Sequence, residues 1–115
     1  MPKIKKALGI EGVYTESSVW KYSPPKEEKG AQVDMVLDRQ DMCINLCEMK
    51  FTRAPFVIDK KYAAELNNKL NVFRDQTKTK KTLFLTMVTT WGTQKNNWYT
   101  GLVQNEVTMD ALFSE

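Results

Sequence analysis

Asp34, Glu48 and Lys50 are the residues of this chain whose types and spacing could do chemistry. They lie in "GAQVDMVLDRQDMCINLCEMKF", residues 30–51, which reads as two apolar strands joined by a polar turn. An ionisable side chain inside an apolar strand is costly unless something pairs with it. Strand alternation puts Glu48 and Lys50 on one face with Ile44 and Leu46, and Cys43, Cys47, Met49 and Phe51 on the other. In the preceding strand Val33, Met35 and Leu37 share a face, and Gln32, Asp34 and Val36 share the opposite one. One hairpin register then sets Asp34 opposite Glu48, Gln32 opposite Lys50 and Val36 opposite Leu46, so that polar meets polar and apolar meets apolar. It brings the two acidic Cβ atoms to about 5 Å.

Two carboxylates that close repel each other, and partial burial sharpens the repulsion. A cation between them removes the penalty. Lys50 offers one charge; a divalent ion offers a better one. Mg²⁺, or Mn²⁺ in its place, takes one or two protein carboxylates and fills its other positions with water and phosphate oxygens. Held by Asp34 and Glu48, such an ion would polarise a phosphate and lower the pKa of a bound water. Lys50 could orient or deprotonate that water, or stabilise the developing negative charge. The bland alternative stays open on the residues alone: a structural ion pair at a sheet edge, with Asp34 at a solvent-facing strand start.

Other chemistries are excluded by composition. The chain has no histidine, so it holds neither a Ser-His-Asp triad nor a Cys-His pair. It lacks the glycine-rich loops that cradle nucleotide phosphates. Its only cysteines, Cys43 and Cys47, are four apart on one strand, too far to bridge and too few for structural zinc; buried reduced thiols are expected. A net charge of +3 permits a nucleic-acid partner without requiring one.

The elements that must position these residues follow from periodicity. At 115 residues the chain is expected to be a single domain, 1–115. Residues 2–8 read as a short helix stopped by Gly9, 18–22 as a strand, "SPPKEEKG" as a loop, and 31–38 and 42–51 as the hairpin. Asp59 caps a helix over 60–76 whose apolar stripe is Tyr62, Leu66, Leu70 and Phe73. Residues 82–90 are apolar on both faces, as in a central strand parallel to the one before the helix. A turn, a strand over 98–104 and a short helix "MDALF" capped by Thr108 complete an α/β arrangement with a mixed β-sheet flanked by helices. No run approaches the roughly 20 apolar residues of a membrane helix. "MPKIKKALGIEGV" is too interrupted for a signal peptide. A cytoplasmic location with no membrane partner is expected.

A helix, a strand, Asp34, then Glu48-x-Lys50 on the next strand, a helix and a strand together resemble the PD-(D/E)XK nuclease superfamily, with its restriction-endonuclease-like αβββαβ core. More closely, "IKKALGIEGV", "GAQVDMVLDR", "NLCEMKF", the helix beginning "KKYAAEL", and "TLFLTMVTTWG" resemble the C-terminal domain attached to prokaryotic P-loop ATPases, over about Ile4 to Phe113. The resemblance implies Asp34 and Glu48 as metal ligands, Lys50 as the catalytic lysine, and Gln32 as an accessory contact to phosphate or water. It implies Mg²⁺ or Mn²⁺ as cofactor, DNA as substrate, and a P-loop ATPase as partner. Cleavage of both strands would favour a homodimer. Val33 stands where the motif's proline would be, and the helical acid of many such nucleases has only Glu11 and Glu16 as candidates, both expected at the surface. The ATPase portion does not lie within these residues, so an excised domain or a short relative that works alone is expected. The alternative is a catalytically silent nucleic-acid-binding or regulatory module; the third is a purely structural interaction module.

Three basic clusters (Lys3, Lys5 and Lys6; Lys60 and Lys61; Lys78, Lys80 and Lys81) could line a phosphate backbone or be ordinary solvated lysines. Trp91, Trp98 and Tyr99 could stack on unpaired bases, or pair across a hairpin and cover the core.

Overall fold

The computed structural model describes residues 2–10, 12–23 and 30–108. Its elements are α1 (Pro2–Leu8), β1 (Thr15–Tyr22), β2 (Ala31–Arg39), β3 (Cys43–Lys50), α2 (Lys60–Thr77), β4 (Thr82–Thr89), α3 (Asn97–Leu102) and β5 (Asn105–Thr108). The strands form one five-stranded sheet in the order β1-β2-β3-β4-β5. The β1–β2 and β2–β3 pairings are antiparallel, while β3–β4 and β4–β5 are parallel. The fold is therefore mixed α/β, as the periodicity predicts.

β3 is the middle strand, and its residues from Ile44 to Glu48 are all buried. A strand covered on both faces needs apolar side chains at odd and even positions, which "CINLC" nearly supplies. On one face Ile44 and Leu46 pack with Val36 of β2 and Phe73 of α2. Further along α2, Ala63 and Leu66 pack with Ile58 and Leu85. On the other face Ile4 of α1 packs with Met35, Leu37, Cys47, Val88 and Val107. Cys47 is fully buried and Cys43 half-buried, both as free thiols, and burial pushes Cys47 up to about 12.

One stop signal and one start signal act as expected. Gly9 adopts φ +74° after α1, where a side chain would be strained, and its N–H donates to the Lys6 carbonyl at 3.0 Å. Asp59 caps α2, its Oδ1 accepting from the Tyr62 N–H at 2.7 Å.

The C-terminal third differs from expectation. Residues 97–102 form a helix rather than part of a strand, and β5 is confined to Asn105–Thr108. Trp98 and Tyr99 suggest a strand by type, but Asn96 overrides them as an N-cap: its Oδ1 accepts from the Tyr99 N–H at 3.0 Å. The Asn96 amide also donates to the Ile58 carbonyl at 2.9 Å, tying the cap to the loop before α2. Trp91, Trp98 and Tyr99 consequently do not face each other across a hairpin. Thr108 ends β5, and the expected helix "MDALF" lies outside the described residues. No helix among the described residues is long and apolar enough to cross a membrane.

Because the Asp59 cap fixes the first turn of α2, Asp59→Ala is expected to lower stability by about 1 kcal/mol in urea unfolding, with little change in the dependence on denaturant.

Candidate functional site

The observed hairpin ladder pairs Met35 with Cys47, Val36 with Leu46, Leu37 with Asn45 and Asp38 with Ile44. This is the register in which Asp34 falls beside Glu48. The ladder ends at Met35–Cys47, although β2 begins at Ala31 and β3 runs on to Lys50. On the other side of β2, Ser18 pairs with Val36 and Trp20 with Val33, so Asp34 and Met35 together stand opposite Val19 alone. That is a β-bulge, which bends a strand and releases its backbone groups from the ladder. It also breaks the expected alternation. Val33 packs with Val36, Trp20 and Phe73 on the α2 side, whereas Met35 and Leu37 pack on the α1 side.

Asp34 sits at this break, and side-chain bonds replace the missing ladder. Its N–H donates to Glu48 Oε2 at 3.3 Å, and its Oδ2 accepts from the Met49 N–H at 2.9 Å. Glu48, 1% exposed, lies on the α2 side with Ile44 and Leu46. Asp34 is half-buried and borders a cavity of about 310 Å³ with Ser17, Ser18, Val19, Met35 and Met49. The two acids thus meet at the seam between the parted strands.

The lysine that neutralises Glu48 is one that the motif does not contain. Lys69 of α2 donates to Glu48 Oε1 in a short ion pair. Burial pushes the Glu48 carboxyl above the usual range, the Lys69 ammonium pulls it back, and the Asp34 charge adds to the rise. Lys50 reaches the same side, but its Nζ lies 5.0 Å from the Tyr62 ring centroid and 5.8 Å from that of Phe56. Those rings meet edge to face at 5.2 Å. Burial raises the Tyr62 phenol above its usual range, as do the charges of Glu48 and Asp34. Among the described residues its hydroxyl, though buried, has no hydrogen-bond partner. Gln32 is exposed and borders a cavity of about 250 Å³ with Glu65, Asn68 and Lys69, so it stands beside the ion pair.

The structure therefore gathers Asp34, Glu48, Lys50 and Gln32 at one end of the sheet and adds Lys69 and Tyr62. Lys69 was legible in principle: it lies seven residues after Tyr62, three after Leu66 and four before Phe73, among the inward positions of α2. Of the basic clusters, Lys60 and Lys61 adjoin Tyr62 at the site's end. Lys81 is at the opposite end of the sheet, bonded to Asp38 at 2.6 Å. Glu16 is exposed and pairs opposite Asp38 at that far end, and Glu11 lies outside the described residues.

The donors suit a hard divalent ion that keeps most of its water. Asp34 Oδ1 accepts no hydrogen bond from the described residues, and the Glu48 carboxylate accepts from the Asp34 backbone N–H. No group of three or more His, Cys, Asp or Glu that could hold a metal occurs among the described residues, but Mg²⁺ needs only one or two protein carboxylates. Compared with known protein families, curated proteins and solved structures, the chain matches none.

Lys69→Met strands a buried carboxylate and is expected to cost about 3 kcal/mol at neutral pH. The Glu48 carboxyl, already raised in the folded state, rises further in that variant. The penalty is then full above the folded pKa and fades as pH falls towards the ordinary carboxylate range. Urea unfolding at pH 7.5 and pH 5 measures this. In a Glu48→Gln background the same substitution should cost under about 1 kcal/mol.

Proposed function

We propose that this domain hydrolyses phosphodiester bonds in nucleic acid, DNA by expectation, with Mg²⁺ or Mn²⁺ held by Asp34 and Glu48, and that it serves a P-loop ATPase. The observation that carries the reading is the bond from the Asp34 N–H to the Glu48 carboxylate at the strand break, with Lys69 paired to Glu48 and Lys50 over the neighbouring Tyr62 ring. The ion, when bound, would acidify a water and polarise a phosphate. The remaining roles belong to the chain itself. Lys69 favours the ionised form of Glu48, opposing the burial that raises its pKa. Lys50, propped on the Tyr62 and Phe56 rings, presents its ammonium to negative charge developing on a phosphate. The Tyr62 hydroxyl stays protonated and, unpartnered among the described residues, can donate to a ligand oxygen. Gln32 borders the groove beside Lys69, where it can bond a phosphate oxygen.

One observation favours a second reading, a silent nucleic-acid-binding or regulatory module: Lys69 already balances the charge of Glu48. An ion would then gain less there, and Asp34 would serve only to close the strand gap.

Two measurements separate them. Saturating Mn²⁺ should raise the melting temperature, a site filled at one hundred times Kd being worth about 2.7 kcal/mol, and Asp34→Asn should abolish the shift. An equal shift in the variant means that the ion sits elsewhere. With Mn²⁺ present, plasmid cleavage by Lys50→Ala should fall roughly a hundredfold or more below wild type. Equal, background-level cutting selects the silent module.

A further inference from the structure

At the same end of the sheet a second cleft opens. The chain leaves β4 through Trp91 to Lys95 and borders an open cleft of about 640 Å³ with Pro55 and Glu106. Its frame is held by backbone bonds: the Phe56 N–H donates to the Gly92 carbonyl at 2.9 Å, and the Gln94 N–H to the Phe56 carbonyl at 2.7 Å. The Gly92 N–H donates to Thr89 Oγ1 at 2.9 Å, and Gly92 turns the chain at φ +87°.

Two residues that line this cleft each carry a buried polar atom that is unpartnered among the described residues, Thr93 Oγ1 and Glu106 Oε2. Thr93 is only 5% exposed, and the Glu106 side chain 12%. Buried polar atoms are nearly always bonded, so two left unpaired in residues that line a cleft call for a partner from outside the described residues. The other Glu106 oxygen accepts from Lys95 at 2.7 Å, and Lys95 is steadied 4.0 Å above the Tyr99 ring. Lys95 thereby offsets the carboxylate charge, and a polyanion is not repelled. At the rim Trp91 is 61% exposed, a large flat apolar surface with nothing stacked on it among the described residues.

An apolar platform, a carboxylate acceptor, a hydroxyl and a neighbouring ammonium suit a flat ring that carries N–H donors beside acceptors. We propose that the cleft receives one unpaired nucleobase of a single strand, stacked on the Trp91 indole, with an N–H of its pairing edge donating to the Glu106 carboxylate. Every base carries such a donor, so the cleft is tolerant of sequence. A duplex hides both the faces and the edges of its bases and is excluded. The cleft adjoins the site through Phe56, which pairs with Thr93 and lies beneath Lys50. A strand whose phosphate lies over Lys50 can therefore turn a base towards Trp91. The proposal rests on the nucleic-acid reading for the class of polymer, but it needs neither the ion nor cleavage.

The test is fluorescence anisotropy with a labelled ten-nucleotide mixed-sequence DNA strand and its duplex, in EDTA. The single strand should bind more tightly than the duplex. Trp91→Ala should weaken it about tenfold and Trp91→Phe much less, as stacking predicts. Trp98→Ala removes an exposed tryptophan outside the cleft and should leave binding unchanged. Unchanged melting temperatures would exclude misfolding. Wild-type affinity in Trp91→Ala, equal loss in Trp98→Ala, or no single-strand binding at all overturns the proposal. Trp91-dependent binding without any cleavage sinks the hydrolase reading and leaves the cleft standing. Cleavage with binding indifferent to Trp91 does the reverse.

Discussion

A carboxylate buried to 1% exposure near the end of the middle strand is the constraint on which this structure turns. Glu48 can be tolerated there only if its charge is met, and the structure meets it with the Lys69 ammonium and the Asp34 N–H. The ammonium comes from α2, so docking of that helix and the charge state of the acid are linked. The Asp59 cap sets where α2 starts, and thereby where Tyr62 and Lys69 fall along the sheet. Capping, packing and electrostatics therefore act on one point.

The second constraint is the parting of β2 from β3. At the bulge opposite Val19 the Asp34 N–H is outside the ladder, and both it and the Asp34 carboxylate bond to β3. Parallel β3 and β4 end side by side, with Lys50 paired to Thr89, so the loops that follow them share one edge. Open α/β sheets characteristically present ligand sites beyond the carboxyl ends of parallel strands. Here that edge holds Lys50, the Phe56–Tyr62 pair and the cleft beneath Trp91.

Buried polar groups elsewhere in the sheet show the contrast. Asn45 is fully buried on the α1 face, yet its amide donates to Thr86 at 3.0 Å and Asn105 at 3.2 Å while its oxygen accepts from Arg39 at 3.0 Å. That network is complete and ties β3, β4 and β5 in register, which is what a satisfied polar cluster does. Among the described residues Tyr62, Thr93 and Glu106 instead leave buried polar atoms without a partner, and Thr93 and Glu106 line a cleft.

Local pattern alone determined the α/β class, the long helix with its Asp59 cap, the hairpin register that sets Asp34 beside Glu48, and the parallel return through "TLFLTMVT". Each rests on side-chain periodicity or on a cap within a few residues, and such signals survive without knowledge of distant contacts. The bulge at Asp34 could not be read this way, because it is defined by pairing with β1, a strand whose own sequence only weakly alternates. The helix at Asn97–Leu102 displaced an expected strand because the cap at Asn96 is anchored to Ile58, 38 residues away. Lys69 stood among the inward positions of α2, but only the packing of that helix on β3 decided which acid it would meet. Tertiary structure chose the partner of each charge, since Coulombic pairing and desolvation depend on distance in space rather than along the chain.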